Sequence, residues 1–277
     1  MKGFQILQEM GIKKKIKNSL RAFIIGDALG VPFEFQEKGA ITCNGFIGFG
    51  TYNKPAGTWS DDTTVVLCLL DALNRSNLDF DKAETLFKEN LSSWYYENRF
   101  TVDGVFDIGN QTASSIESKF ENQQTDRMGN GALFYLPLAF CSVKKDLQKE
   151  DFIRFCKITH NNMNCFEYGW NLCQIIQGIL NNTPFQIELN SFENRGDVIN
   201  TSNFVLDFFL QLKDSNWPLM NCLYKIIEEG EDTDTNAAIL GLLLGLLKDV
   251  DEKDWGMIRR HELADQIITE FIQKTVY

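Results

Sequence analysis

The chain has 277 residues, of which 44% are hydrophobic, and its 38 acidic residues outnumber its 27 basic ones, giving a formal net charge of −11. This length and apolar fraction suffice for a sizeable core, and we expect a single domain. The negative charge disfavours nucleic acid as a partner, because an acidic surface repels phosphate backbones.

Apolar residues recur at helical spacing along most of the chain, for example at Leu86, Leu91, Trp94 and Tyr95. Only five prolines and hardly any alternating runs occur, so the predicted fold class is all-α. In chain order, the predicted helices are Lys13–Ile25, Asp62–Arg75, Lys82–Asn98, Ile108–Lys119, Ala132–Phe140, Lys149–Thr159, Phe166–Asn181, Val198–Leu212, Leu219–Glu228, Asn236–Leu247 and Arg260–Tyr277.

Two connections between these helices stand out. Residues 41–59 are rich in glycine, but their GFIGFG stretch lacks the glycine order and the preceding strand of a dinucleotide-binding fingerprint. Residues 182–195 are polar and irregular, so we expect this connection to face solvent.

The sequence carries no signal for export or membrane insertion. Its N-terminus has no unbroken apolar segment of the signal-peptide kind, and the uncharged residues 235–247 fall short of the roughly 20 that span a bilayer. The seven cysteines form no CxxC pair and lie partly in apolar helical patterns, which is typical of reduced, buried cysteines. We therefore expect a cytoplasmic protein with no membrane partner.

Two predicted helices begin with clusters of acids and hydroxyls. The clusters are Ser60, Asp61 and Asp62, and Asp232, Asp234 and Thr235. A cap needs one side-chain oxygen, or two in a capping box, so both clusters exceed that need. If the two helices start at the same end of a bundle, four carboxylates and two hydroxyls share a small volume. Close carboxylates repel unless protons or cations separate them.

Capping and metal binding are the alternatives for these clusters. Hard divalent ions prefer oxygen ligands, and two such ions would balance four negative charges. The chain has only two histidines, which argues against zinc held by imidazoles. The residues by themselves indicate either reinforced helix caps or a two-metal oxygen site of hydrolytic character.

Six motifs occur in a fixed order along the chain. They are Gly26-Asp-Ala-Leu-Gly30 with Glu34, Gly57-Thr-Trp-Ser-Asp-Asp-Thr63, Asp107-Ile-Gly109, Gly129-Asn-Gly-Ala-Leu133, Thr159-His160 and Asp232-Thr-Asp-Thr-Asn236. In this order they resemble the ADP-ribosylglycohydrolases, a family that includes the dinitrogenase reductase-activating glycohydrolase and the ADP-ribosyl-acceptor hydrolases. The resemblance covers about residues 19–247, so we divide the chain into an N-terminal extension, residues 1–18, and a glycohydrolase-like domain, residues 19–277.

The resemblance implies a single-domain orthogonal helical bundle with two divalent cations, Mg²⁺ or Mn²⁺. It implies a hydrolase that cleaves the bond at the anomeric carbon of the ribose and so removes ADP-ribose from a modified side chain. Many relatives have threonine where this chain has serine in the first cluster, and either hydroxyl can coordinate a metal. The implied metal ligands are Ser60, Asp61, Asp62, Asp232, Asp234 and Thr235.

Glu34 and Asp107 are the implied catalytic residues, and either one could act as the general acid or base. Glu34 matches the acid of serine-directed relatives, whereas Asp107 matches that of the arginine-directed bacterial enzyme. Without the resemblance, Glu34 would be an exposed residue after Pro32, and Asp107 would cap the helix that begins at Ile108.

The resemblance also implies a binding site for ADP-ribose. Gly129, Asn130 and Gly131 would offer backbone N–H groups to the diphosphate at a helix start, and His160 would lie along the adenosine-side ribose. From the residues alone, a plain turn and a polar helix end are the simpler interpretations.

Two sites depart from the family pattern. Glu231 stands where relatives usually have a second glycine before the Asp232 motif, and it adds charge beside the metals. Leu133 and Phe134 stand where relatives commonly have Met-Arg, so an arginine available to the diphosphate or to the bundle is missing.

Several functions are compatible with these residues. The first is hydrolysis of an ADP-ribosylated protein, with arginine favoured as the acceptor over serine or a nucleic-acid base because of Asp107-Ile-Gly109. The second is an immunity protein that neutralises an ADP-ribosyltransferase toxin, either by binding it through the N-terminal extension or by reversing its modification. A non-catalytic relative and a two-metal phosphoesterase are further alternatives. We expect a monomer, since no exposed apolar seam stands out.

Overall fold

The computed structural model describes residues 2–121 and 124–276. Within these ranges the chain is helical and has no β-strand, which confirms the predicted all-α class. Two 3₁₀ helices span Val31–Phe33 and Asn130–Val143. The α-helices are α1 (Lys2–Gly30), α2 (Asp61–Ser76), α3 (Phe80–Glu97), α4 (Asn110–Glu117), α5 (Lys149–Cys156), α6 (Met163–Asn181), α7 (Val198–Leu212), α8 (Leu219–Ile227), α9 (Thr233–Leu244), α10 (Glu252–Trp255) and α11 (His261–Thr275).

The first helix is longer at both ends than the predicted Lys13–Ile25. It continues to Gly30, because α1 packs against α9 along its C-terminal half and the packing outweighs the low helix propensity of its glycines. The division between the extension, residues 1–18, and the domain falls inside this continuous helix. Ile16 is already fully buried, and the division stays a prediction.

Contact between α1 and α9 brings two of the family motifs together. A Cβ atom added at Gly26 would overlap the carbonyl of Ala237, and one added at Gly30 would overlap the backbone of Asp234. Only glycine permits this approach. The two helices run antiparallel, and the N-terminus of α9 therefore lies beside the C-terminus of α1.

The segment predicted as a helix at Ala132–Phe140 is a 3₁₀ helix over Asn130–Val143. Pro137 lies inside it and has no N–H to donate to the preceding turn. All residues from Ala132 to Cys141 are buried, and the helix packs against α6. Apolar contacts on all sides thus hold a 3₁₀ run that would be uncommonly long elsewhere.

The interior agrees with the expected use of cysteine. All seven cysteines are buried and unpaired. No helix in the described ranges combines the length and apolarity that crossing a bilayer requires.

Candidate active site

The N-terminus of α2 is held by Asp27 of α1. The fully buried Asp27 carboxylate accepts hydrogen bonds from the backbone N–H of Ser60 at 2.9 Å and of Thr63 at 3.0 Å. Burial raises the pKa of Asp27 to about 6. The Ser60 hydroxyl, at the N-cap position, accepts from the N–H of Asp62 at 3.2 Å. Asp27 and Ser60 thus cap α2, and capping does not account for the carboxylates of Asp61 and Asp62.

The acids at the N-terminus of α9 also take little part in capping the helix. Asp232 is the N-cap residue, but its side chain makes no capping bond. It accepts instead from Asn130 Nδ2 at 2.5 Å. Asp234 is 1% exposed, and its Oδ1 accepts from the adjacent N–H of Thr235 at 2.9 Å.

One cleft of about 470 Å³ gathers most of the residues that the sequence analysis selected. At its acidic end it is lined by Glu34, Asp61, Asp62, Asp107, Asp232 and Thr235. Elsewhere it is lined by Gly129, Asn130, Gly131 and His160. Ser60 and Asp234 are not among the lining residues, although Asp234 presents a carboxylate oxygen within 4.8 Å of oxygens from Glu34 and Asp232. The two helix starts therefore meet at one end of the bundle.

Four carboxylate oxygens of this acidic end are buried without a hydrogen-bond partner in the described part of the chain. They are Glu34 Oε2, Asp62 Oδ2, Asp232 Oδ1 and Asp234 Oδ2. Buried polar atoms normally have partners, because an unpaired one costs about 1–3 kcal/mol. A cation placed among these oxygens would remove that cost, so the donor set fits a bound metal.

Burial and mutual repulsion oppose ionisation of the clustered acids. The pKa values of Asp61, Asp62 and Asp234 lie well above the usual range, first because of burial and then because of neighbouring carboxylates. Burial, followed by the charge of Asp107, raises the pKa of Glu34 to about 9. Positive charge at the site would stabilise the carboxylates and lower these pKa values.

Glu34 is buried, contrary to the interpretation as an exposed residue after Pro32. Only 6% of it is exposed, and it follows directly on the 3₁₀ turn Val31–Phe33. Because its carboxylate lies beside Asp232 and Asp234, Glu34 could serve as a metal ligand as well as an acid or base. Sequence reasoning assigned it only the second role.

Asp107 does not cap α4, contrary to the other simple interpretation. The helix begins at Asn110, with Gly109 as its N-cap residue. Asp107 has a φ of +59°, and the hydroxyl of Tyr52 donates to its Oδ1. Tyr52 also interacts with the carboxylate of Glu34. It belongs to the glycine-rich connection 41–59, where nothing in its immediate sequence marked it as a site residue.

The far part of the cleft is formed by a glycine segment, residues 129–131, and His160. The N–H of Gly129 donates to Gln111 Oε1 at 2.8 Å, so this one of the three predicted N–H groups is already engaged. His160 is 4% exposed, and its Nδ1 lies 2.7 Å from Thr159 Oγ1. A Cβ atom at Gly131 would lie 2.9 Å from the imidazole Cε1, so the ring needs glycine there.

The polar connection 182–195 leads straight into the cleft. Gly196 and Asp197, which follow it, are lining residues. A Cβ atom at Gly196 would lie 3.0 Å from Asp232 Oδ2. Most of residues 182–195 are exposed, which confirms the expectation that this connection faces solvent. Its composition does not show where the chain goes next.

The family model of the ADP-ribosylglycohydrolases matches residues 8–271, nearly the whole chain. This chain belongs to the ADP-ribosylglycohydrolase family. The predicted membership is confirmed, and with it the prediction that the protein is a glycohydrolase enzyme.

The curated relatives of this glycohydrolase include three bacterial proteins. It is 28% identical over 267 residues to "ADP-ribosylarginine hydrolase Tri1" of Serratia proteamaculans, covering 84% of this chain and 71% of that protein. The Pseudomonas putida protein of the same name is 24% identical, covering 84% and 70%. The "ADP-ribosyl-[dinitrogen reductase] glycohydrolase" of Rhodospirillum rubrum is 24% identical, covering 88% and 90%.

The glycohydrolase also shares its fold with a solved structure. A chain described as "ADP-ribosylglycohydrolase-related protein complex" superposes with a TM-score of 0.77. The match covers 96% of this chain and 100% of the other at 18% sequence identity. At that identity the match shows a common fold.

The two departures from the family pattern have structural counterparts in this glycohydrolase. Glu231 adopts a φ of +62°, a left-handed conformation that glycine adopts at lower cost and that explains the usual glycine. Its side chain is exposed. Leu133 is fully buried, and Phe134 is buried while also lining the cleft. The position of the common arginine thus offers an apolar ring to the ligand.

Proposed function

We propose that this glycohydrolase removes ADP-ribose from an ADP-ribosylated protein, with two divalent cations as cofactors and arginine as the preferred acceptor. The observation that carries the proposal is the convergence of buried carboxylates, with unpaired oxygens, at one end of a cleft. The Serratia and Pseudomonas relatives are named as ADP-ribosylarginine hydrolases, which supports arginine as the acceptor.

The donor set favours Mg²⁺ or Mn²⁺ over softer metals, because every candidate ligand is a carboxylate or hydroxyl oxygen. When bound, the ions would supply positive charge that orients the ribose hydroxyls and lowers the pKa of a coordinated water. The residues that would hold them are Ser60, Asp61, Asp62, Asp232, Asp234 and Thr235, and the position of Glu34 adds it as a further candidate.

In this proposal, Glu34 or Asp107 moves the proton. General base catalysis needs a proton-accepting group, here a carboxylate, within hydrogen-bond reach of the attacking water, and both residues line the acidic end of the cleft. Tyr52 donates to Asp107 and so restricts the orientation of that carboxylate. Cleavage at the anomeric carbon passes through an oxocarbenium-like state, which surrounding negative charge stabilises.

The remainder of the cleft suits the nucleotide part of the substrate. Its volume of about 470 Å³ lies in the range of small-molecule sites. Burial lowers the pKa of His160 to about 3, so the imidazole is neutral near pH 7. A neutral ring can hydrogen-bond a ribose hydroxyl without attracting or repelling charge.

The decisive experiment measures free ADP-ribose released from arginine-linked and serine-linked substrates, each with Mg²⁺, with Mn²⁺ and with a chelator. Wild type is compared with Asp62→Asn, which removes a buried carboxylate, and with Asp214→Asn, which makes the same change at an exposed residue. We expect metal-dependent release from the arginine-linked substrate that Asp62→Asn abolishes and Asp214→Asn preserves.

Each part of the proposal can fail separately in this experiment. Undiminished release in the presence of chelator would contradict the proposal that divalent cations are cofactors. Release from the serine-linked substrate alone would contradict arginine as the acceptor. AMP as the product from ADP-ribose would indicate a phosphoesterase. The cytoplasmic location and the monomeric state stay predictions.

A second proposed role is neutralisation of an ADP-ribosyltransferase toxin by binding. Leu7 and Met10 are 69% and 61% exposed on the N-terminal part of α1. Residues three apart share one face of a helix, so the two side chains offer a small apolar surface outside the cleft. Ile12 packs against the core, to which Ile16 belongs, and this limits any separable binding segment to about the first eleven residues.

A further inference from the structure

Arg127 is the cationic side chain of the cleft. Among the lining residues in the described ranges, it alone carries a positive charge. His160 lines the cleft as well, but its buried ring is uncharged near pH 7. The acidic end is crowded with carboxylates, so an anionic part of a ligand is attracted elsewhere.

The backbone of Arg127 is held in place while its guanidinium group is left without a partner. Its N–H donates to Thr125 Oγ1 at 3.2 Å, and its carbonyl accepts from Gln111 Nε2 at 3.3 Å. The same Gln111 side chain accepts from the N–H of Gly129. The guanidinium group makes no hydrogen bond or ion pair with any residue that the structure describes.

Several other arginines of this acidic chain are engaged by carboxylates. Arg21 contacts Asp265 at 2.8 Å and Arg154 contacts Asp81 at 2.6 Å. Their positive charges are balanced by carboxylates of the same chain. Arg127 therefore differs from them in being available to a ligand.

A nearby acid does not neutralise this position. Asp197 pairs with Gly129 through a backbone bridge. Its carboxylate is engaged at the start of α7, where it accepts from the N–H groups of Ile199 at 3.1 Å and Asn200 at 3.0 Å.

Arg127 lines the same cleft as Phe134, the residue that stands where relatives commonly have an arginine. The arginine common in relatives is replaced here by a buried aromatic ring. Arg127 lies two residues before Gly129, on the other side of the glycine segment, and lines the same cleft. A positive charge is thus present in the cleft although the usual one is missing.

We propose that Arg127 binds the diphosphate of ADP-ribose and provides affinity for that part of the substrate, without taking part in bond cleavage. The inference rests on the proposed function. A guanidinium group can make two parallel hydrogen bonds to phosphate oxygens, which a lysine ammonium group cannot reproduce.

Calorimetric titration with ADP-ribose and with adenosine, both in the presence of Mg²⁺, tests this inference. The variants are Arg127→Gln, Arg127→Lys and the control Arg75→Gln. Arg75 lies in the last turn of α2, roughly 20 Å along the helix from Asp61 at about 1.5 Å per residue. The control therefore removes the same charge far from the cleft.

We expect Arg127→Gln to weaken ADP-ribose binding by about tenfold or more, the loss typical of a charge-assisted hydrogen bond. Adenosine, which has no phosphate, should bind all variants equally. Arg127→Lys should retain part of the affinity, and Arg75→Gln all of it. In turnover, Arg127→Gln should raise KM while leaving kcat nearly unchanged.

Two results would overturn the inference and are distinguishable from failure of the proposed function. ADP-ribose bound equally by wild type and Arg127→Gln would remove the role of Arg127 alone. An equal loss for adenosine would show a structural effect of the substitution. A wild-type protein that binds no ADP-ribose would remove the proposed function, and this inference with it.

Discussion

Substitution of Gly30 by alanine should displace the start of α9, which carries part of the proposed metal site. A Cβ atom at Gly30 would lie 2.5 Å from the carbonyl carbon of Thr233 and would overlap the backbone of Asp234. The contact distance between carbon atoms is about 3.5–4.0 Å. The start of α9 would therefore have to withdraw by about 1 Å. The φ of Gly30 is −77°, which alanine adopts without backbone strain. The effect of the substitution would therefore come from the steric overlap alone.

The expected losses follow from this displacement. Overpacking of a core costs about 1–3 kcal/mol, and backbone against backbone belongs at the upper end. A cost of about 3 kcal/mol would lower the melting temperature by roughly 6 to 12 °C for a chain of this size. A 1 Å misplacement of catalytic groups costs about 100-fold in rate, and the affinity for Mn²⁺ should fall because Asp234 moves with α9.

Gly11→Ala is the matched control in the same helix. A Cβ atom there meets nothing within 4 Å, and alanine should raise stability by about 0.5–1 kcal/mol through helix propensity. Thermal unfolding, Mn²⁺ titration and ADP-ribose release are measured for both variants. A Gly30→Ala protein with wild-type metal affinity and rate would refute the argument that this close approach positions the site.

The remaining predictions concern the hydroxyl of Tyr52, the charge of His160 and the start of α1. Tyr52→Phe should lower kcat about tenfold or more with little change in KM, because the Asp107 carboxylate loses the hydrogen bond from Tyr52. A hydrogen bond to a charged group contributes about 1.5–3 kcal/mol. Tyr95→Phe, which removes an exposed phenol–carboxylate hydrogen bond, should leave kcat unchanged. The folded-state pKa of His160 is depressed to about 3, so its stabilising contribution is present above about pH 6.5 and is lost as the pH falls. When the pH falls from 7.5 to 5, the free energy of unfolding, measured with denaturant, should therefore decrease by about 2 kcal/mol more for wild type than for His160→Gln. Equal decreases would show that the buried ring is not kept neutral. Removal of residues 1–11 should abolish binding of an ADP-ribosyltransferase toxin in a pull-down while ADP-ribose release persists; retained binding would exclude this segment as the binding surface.

Local sequence patterns were sufficient to predict the helices and the two acid clusters of the site. Helix α7 has the predicted bounds Val198–Leu212 because the Asp197 side chain caps it and apolar residues recur at helical spacing behind it. The acids at the starts of α2 and α9 could be found for the same reason, because a cluster of acids at a helix start is a feature of neighbouring residues. The apolar run after Ala132 indicated a helix, but hydrophobic periodicity does not separate a 3₁₀ helix from an α-helix when every side is buried.

Only the tertiary structure decided which carboxylates are free and which groups surround them. Asp27 lies more than thirty positions before the helix that it caps, and this contact releases Asp61 and Asp62 from capping. Tyr52 reaches Asp107 from a different connection. These pairings depend on close packing of α1 against α9 and on loop positions far apart in the chain. Because such contacts are made between residues that share no local pattern, the sequence by itself determined the chemistry of the ligands but left their arrangement to the fold.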